Sequence, residues 1–456
     1  MSRSLALELA ERAVAAAGGE RDALARVVVE RSLMLRYARS RPTQSTAVDD
    51  LTVEVAVVRD GHVGRATTNL TDDDSLAAAA RAAIASAEAA ARLGNAGLYP
   101  GFPAPATARG HEAWNAATAR LDPAPGGAAL ATAFEVAERH GVEAHGVWTA
   151  AEVVTALATS AGGMALERVT DASMKVTCIA PGGRSGYASQ MAVAVGDLEP
   201  AELAKRAARK AVWPGEAATL PPGEYPVVLD ADAVGELLEW AGRLAFNGQA
   251  YAEGRSALEG RLASRVAAPS INLSDSPRHP RTLPRSYDAE GVPKSPLPLI
   301  QDGVAHRIVH DVRSAALAGG GARSTGHALA PGGSELGPIP TNLVLIGGGA
   351  DGVDELAQPI ERGVYVTRLW YTNPVRPRET VITGVTRDGT FLIEGGQITR
   401  PLADMRLTDS ALGILERVQD LGRRPRLVSH VEFYGRRFAY GTVCPAVRVG
   451  ALRFTG

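Results

Sequence analysis

The chain has almost no cysteine and almost no lysine. Cys178 and Cys444 stand far apart in 456 residues. Two thiols are too few for a disulfide framework and point to a reducing compartment, with the cytoplasm as the default expectation. Lysine occurs only at Lys175, Lys205, Lys210 and Lys294, so nearly all of the 48 basic residues are arginine. Against 50 acidic residues they leave a net charge of −2. That balance gives no electrostatic case for nucleic acid, whose binding needs a concentrated basic face. Nowhere do about eighteen uncharged apolar residues run together, so no membrane-spanning helix is expected. The opening run SLALELAERAVAAAGG carries Glu8 and Glu11 inside its apolar pattern, which makes it an amphipathic helix rather than a signal-peptide core.

What is present is Ala, Gly and β-branched pattern. At this length two domains are expected. Apolar spacing at Leu5, Leu9, Ala13 and Val14 predicts a first helix stopped by Gly18-Gly19. Residues 26–68 are dominated by β-branched runs with Asp60-Gly61 as a hairpin turn. Thr71 and Asp72–Asp74 then cap an Ala-rich helix ending near Gly94. A Pro/Gly-rich excursion fills 95–127, followed by a helix over 127–140, strands over 143–158 and 163–180, and a helix over 199–211. The fold class is therefore α/β of the α+β kind. An N-terminal α/β domain with antiparallel sheets and helices covers 1–213, and PGEAATLPPGEYP at 214–226 is the linker. A C-terminal β-rich domain over 227–456 is opened by one helix at 231–246, with Asp302-Gly303, Asp388-Gly389 and Gly395-Gly396 as its turns.

Zinc hydrolysis needs two neutral imidazoles on one helix face and a carboxylate beside them. His111-Glu112 has no second histidine at a useful distance, and His140 and His145 flank a helix-to-strand turn at Gly141. His306 and His310 lie four apart in GVAHRIVHDV and share a face, yet their plainer reading is ordinary strand or surface residues. Gly347, Gly349 and Gly352 spell the dinucleotide fingerprint after an apolar strand, but Pro359 interrupts the following helix. A second glycine-rich loop at 319–328 offers Arg323, Ser324, Thr325 and His327 to a ligand; a surface loop is the plainer reading. No G-x-S-x-G elbow occurs, and Cys178 in MKVTCIA reads as a small buried hydrophobe.

The ordered blocks YDAEGVP at 287–293, GGGARSTGHA, PTNLVLIGGG, ITGVTRDGTFLIEGGQITRPLADM and PAVRVGALRFTG span the C-terminal half. With VRDGHVGRATTN in the first half, they resemble the TldD/PmbA family of zinc peptidases. The resemblance implies that the catalytic subunit carries HExxxH on the helix opening the second domain. Here those positions hold Glu239, Trp240 and Leu244. Leu244 has no lone pair, Trp240 offers only an N–H, and a lone Glu239 cannot hold zinc. The family's third ligand is a cysteine near the C-terminus; Cys444 comes too late, and His430 lies nearer the expected position.

The resemblance then implies the TldE/PmbA-like partner subunit, without a cofactor of its own. Zinc would sit in a TldD-like HExxxH subunit, and this chain would complete an enclosed cavity admitting unfolded peptides. Strand edges there could take an extended peptide as a further strand. Two other readings stay open: an independent hydrolase with a noncanonical metal site around His306, His310 and the 319–328 loop, or a regulatory binding protein of the gyrase-modulator type.

Overall fold

The structure, a computed structural model, describes residues 3–18, 22–93, 97–104, 106–430 and 436–456. The first unit is one antiparallel sheet with helices on one face. Its strands are β1 (Ala23–Ala38), β2 (Arg41–Arg59), β3 (His62–Thr68), β4 (Glu143–Thr159), β5 (Met164–Ile179) and β6 (Ser185–Ala192), in the order β3-β2-β1-β4-β5-β6. Helices α1 (Arg3–Ala16) and α2 (Asp73–Arg92) cover the β1–β2 half. A short turn α3 (Ala116–Ala119) precedes α4 (Ala124–Arg139), which with α5 (Pro200–Ala211) covers the β4–β5 half. Gly18 ends the first helix at a positive φ, whereas Gly19 and Gly94 lie outside the described residues.

Small side chains let these helices lie close to the sheet. A Cβ on Gly64 of β3 would meet the carbonyl of Ala83 at 2.0 Å, and one on Gly186 of β6 would meet that of Ala207 at 2.2 Å. Strand β6, SGYASQMA, was not anticipated from the sequence, since it has no β-branched residue and its Gly and Ala are weak strand formers. It forms through eight cross-strand partners on β5 and through the contact that Gly186 permits with α5.

The C-terminal unit begins with β7 (Gly223–Leu229) and α6 (Ala231–Leu244), whose N-cap Asp230 accepts from the Ala231 N–H. The segment before it is not free: Ala218 exchanges backbone hydrogen bonds with Pro401 and Ala403 at 2.8 and 2.9 Å. After α7 (Gly248–Ala252) come β8 (Leu273–Asp275), β9 (Leu297–Gln301), β10 (Val304–Ala305), α8 (Val312–Ala318), β11 (Leu343–Leu345) and α9 (Val353–Ala357). Then follow β12 (Arg362–Arg376), β13 (Val381–Glu394), β14 (Gln397–Pro401), β15 (Arg406–Ser410), α10 (Ala411–Glu416), β16 (Val418–Leu421), β17 (Arg426–Ser429), β18 (Gly441–Cys444) and β19 (Val447–Phe454). They build a six-stranded sheet, β10-β9-β8-β11-β18-β17, and a seven-stranded one around β7, β12, β13 and β19. Helix α6 is buried between them through Val234, Leu237, Leu238 and Ala241.

Asp388-Gly389 is not the expected hairpin turn. Strand β13 runs straight through it as a bulge: Val366 pairs with Thr390 and Arg368 with Arg387, so two residues oppose Thr367. Positive φ at both residues produces the bulge. It aims the Asp388 carboxylate at Arg368 and at the Ser185 hydroxyl of the first unit. Asp302-Gly303 and Gly395-Gly396 do join adjacent strands.

Candidate functional site

Three of the four charged side chains of α6, Glu236, Glu239 and Arg243, share one face with Trp240, at the i, i+3, i+4 and i+7 spacing of an otherwise apolar helix. Packing sets that face against His430, Tyr440 and β12. Glu239 is the hub. Its Oε1 accepts from Arg243 Nη2 at 2.6 Å, Arg243 Nε at 3.0 Å and the Tyr440 hydroxyl at 2.6 Å. Its Oε2 lies 2.8 Å from His430 Nδ1. Beside it, Thr372 Oγ1 bridges the Trp240 indole N–H, at 2.7 Å, to Glu236.

These contacts fix the charges. Burial alone would raise the Glu239 carboxyl, but His430, Arg243 and Tyr440 outweigh it and hold its pKa well below the usual carboxylate range. Burial opposes a charged His430, yet Glu239 overcomes that penalty and raises the imidazole's pKa. Burial likewise lifts the Tyr440 hydroxyl, with the Glu239 charge adding to it. The result is a carboxylate clasped between a guanidinium and an imidazole whose Nδ1 is a donor toward it.

Among the described residues, Glu236, Glu239 and His430 are the one group of three whose ligand atoms converge, all within 4.8 Å of one another. The sequence pointed to Glu239, Trp240 and His430. It missed Glu236, Arg243, Thr372 and Tyr440, although the charge spacing along GELLEWAGRL carried a signal for the first two. Leu244, at the last position of the motif, packs half-buried against the core.

The other expected residues lie elsewhere. His306 is exposed and His310 turns its Nδ1 to the Ser314 hydroxyl at 3.2 Å; among the described residues neither belongs to a group of three converging ligand atoms. In the 319–328 loop Arg323 is exposed, while the hydroxyls of Ser324 and Thr325 donate to the His310 carbonyl at 3.3 and 3.1 Å. His327 is buried with Nε2 3.2 Å from Asp275, which also meets Lys294 at 3.3 Å. The neighbouring Asp288 accepts from the N–H groups of Glu290, Val292 and Ala328, and Glu290 accepts from Tyr99, Gly332 and Val312. These carboxyls order loops and fasten residue 99 of the first unit to the second. His111 pairs with Glu167 at 3.0 Å. Both cysteines are buried, and burial pushes the Cys178 thiol up to about 12. The glycines at 347–352 lead into a five-residue helix, too short for a dinucleotide site.

Known proteins share this architecture. Over 98% of its length the chain superposes on TldE from Thermococcus kodakarensis with a TM-score of 0.85 at 18% identity, covering 99% of that chain. It superposes equally on a Thermotoga maritima protein crystallised as a candidate modulator of a DNA gyrase, with a TM-score of 0.84, 22% identity and 99% of that chain covered. At these identities the likeness establishes the fold. In sequence it is 28% identical to a metalloprotease of Methanothermobacter thermautotrophicus over 254 residues, and 25% identical to a TldD homolog of Haemophilus influenzae over 281 residues. The aligned parts are 56% and 60% of this chain but 54% and 57% of those relatives, so the chain matches them over about half their length. The PmbA/TldA metallopeptidase domain 1 matches residues 23–87, its central domain 115–213 and its C-terminal domain 222–456. With more than half of its residues in the last of these alone, the chain belongs to the PmbA/TldA metallopeptidase family.

Proposed function

We propose that this chain is the non-catalytic subunit of a heterodimeric zinc peptidase, that the zinc belongs to an HExxxH partner, and that this subunit completes the cavity receiving unfolded peptides. The observation that carries the reading is the state of Glu239. Both of its oxygens are taken by Arg243, Tyr440 and His430, and the imidazole nitrogen that would face a metal ion faces a carboxylate instead. A zinc ion there would have to displace a guanidinium and a proton, so these residues do not fit it. The likeness to a protein named TldE supports the same assignment.

The test is reconstitution. The purified chain with a cognate HExxxH subunit is expected to hydrolyse an unstructured peptide that neither cleaves alone; hydrolysis by the isolated chain with stoichiometric zinc would overturn the reading. A second reading, an independent hydrolase with a noncanonical metal site, draws on the convergence of Glu236, Glu239 and His430. Metal analysis of the isolated protein separates the two. Two buried free thiols support a cytoplasmic setting. No helix among the described residues is long and apolar enough to cross a membrane.

A further inference from the structure

The end of the β1–β2 hairpin presents an open sheet edge. Strand β3 pairs with β2 only over Val53–Arg59, and among the described residues no strand covers the outer edge of β2 from 41 to 52. Every residue from Arg41 to Asp50 is exposed except Thr46, which is partly buried. An edge of this kind is a template for pairing with another chain, and proteins blunt it with charges, proline, bulges or a cover. Here Pro42 and a bulge at Thr43 blunt the tip alone, and Gln44–Val48 is an uncharged stretch left bare.

The edge is also held in place. Arg39 and Ser40, both at positive φ, make a two-residue turn. The Ser40 N–H donates to the Ala144 carbonyl at 2.9 Å, and the Ser40 hydroxyl accepts from the Ala144 N–H at 3.0 Å, so the turn is fastened to β4. Charge is divided along the edge, with Arg39 and Arg41 at the tip and Asp49 and Asp50 at the far end. The bulge sets the faces of these side chains. Arg36 pairs with Gln44 but Tyr37 with Pro42, so Thr43 is the extra residue, and Arg41 opposes Ala38 as Asp50 opposes Glu30. Even-numbered positions of β1 project from one face, and opposed residues share a face. Arg41 and Asp50 therefore stand on the same side of the sheet, together with Gln44, Thr46 and Val48. Among the described residues neither has an ion-pair partner: Asp50 accepts from the Thr52 hydroxyl at 3.5 Å, and Arg436, which feels the Asp50 charge, pairs with Glu54.

We infer that two copies of this chain pair antiparallel through these edges, about a two-fold axis that passes through Thr46 perpendicular to the sheet. Such an axis is isologous and keeps every side chain on its own face. Gln44 then opposes Val48 of the second copy, Ser45 opposes Ala47, and Arg41 of each copy reaches Asp50 of the other. A parallel arrangement would set Arg41 against Arg41 and Asp50 against Asp50, so the charge pattern selects the antiparallel one. The lengths agree as well: the contact fills the bare stretch and stops where β3 begins to pair at Val53, joining the two six-stranded sheets into one. This pairing goes beyond the subunit reading and stands independently of it.

Sedimentation velocity on the full chain tests this. A two-chain species is expected at about 50 μM, its fraction falling with dilution and with added salt. Arg41→Asp and Asp50→Arg each turn both ion pairs into repulsions and should weaken pairing at least about tenfold. Mixed in equal amounts the two variants should pair again, because the first then offers acids at both positions and the second bases at both. Both substitutions fall on exposed residues, and pairing regained in the mixture itself shows that both variants are folded. A wild-type chain that stays single at about 100 μM, pairing that survives both variants, or a mixture no better than either variant alone would overturn the inference. So would a wild-type chain that is single by itself but binds the HExxxH subunit in a manner lost in Arg41→Asp, which would give the edge to that subunit. Failure of the subunit reading is a separate result: no hydrolysis with the HExxxH partner, with the self-pairing unchanged.

Discussion

Arg243 is the residue whose removal tests the Glu239 centre most directly. Arg243→Ala deletes the guanidinium that makes two contacts to Glu239 and one to Tyr440. The side chains of Arg243 and Glu239 are 26% and 17% exposed, so solvent screens the pair only in part. Breaking a buried pair by removing one partner costs about 3–5 kcal/mol when the remaining charge is left alone. Here His430 and Tyr440 still hold Glu239, which lowers the expectation to about 2–3 kcal/mol. Urea denaturation followed by tryptophan fluorescence measures it, provided the transition is treated unit by unit. A second readout is independent of stability. With the guanidinium gone, Glu236, Glu239 and His430 become a two-carboxylate, one-imidazole donor set able to take Co²⁺, visible in absorption spectra. Wild-type protein is expected to show no such band, and Arg243→Ala to show one that Glu239→Gln abolishes. A stoichiometric Co²⁺ band in wild type, or a variant that loses less than about 0.5 kcal/mol and stays spectroscopically silent, would refute the view that Arg243 stands where an ion would.

The pairing of Glu239 with His430 should leave a pH signature. Because the fold raises the His430 pKa, that contribution is full below about 6.5 and fades as pH rises through the folded value. Because it depresses Glu239, the carboxylate's contribution is present above about 4.5 and fades as pH falls. The stability gap between wild type and His430→Asn is thus expected to be widest between about pH 4.5 and 6.5; a gap that widens from pH 7 to 9 contradicts it. Burial pushes Asp288 up to about 6, and burial, Asp288 and Asp311 push Glu290 well above its usual range. Groups with raised carboxyl pKa values stabilise at low pH and lose that contribution as pH rises. Glu290→Gln should therefore gain on wild type between pH 6 and 9 in urea midpoints, and a constant difference would show that Glu290 does not titrate there. Gly186→Ala should cost about 2–3 kcal/mol by forcing β6 away from α5, read as a fall in the thermal midpoint by circular dichroism.

How much of this was legible in the sequence depended on whether the cause was local. Strands β1 to β5 and helices α2, α4, α5 and α6 announce themselves through β-branched runs, Asp caps and apolar periodicity, signals that a few neighbouring residues carry. Strand β6 does not, because its cause is a distant one: a free edge on β5 and room for the Ala207 carbonyl over Gly186. Asp388-Gly389 shows the converse. The dipeptide has turn chemistry, and both residues do adopt positive φ, but the partner strand continues past them and converts a turn into a bulge. Local conformation was read correctly there while topology was not.

The same division runs through the candidate site. That α6 lacks an imidazole pair is a property of fourteen consecutive residues, so the sequence suffices to see it. What replaces the pair is not. Glu239 meets Tyr440 from 201 positions away, and Trp240 meets Thr372 from 132, contacts set by the packing of α6 between two sheets. A metal centre that merely lost its ligands would leave Glu236 and Glu239 buried against each other without a cation, an arrangement that raises carboxyl pKa values and weakens the fold. Arg243, one helical turn on from Glu239, and His430, across the gap, supply the missing positive charge from the chain itself. Under the proposed non-catalytic reading, α6 keeps its partly buried Glu239 because a fixed guanidinium supplies the compensating charge that a bound cation could otherwise give.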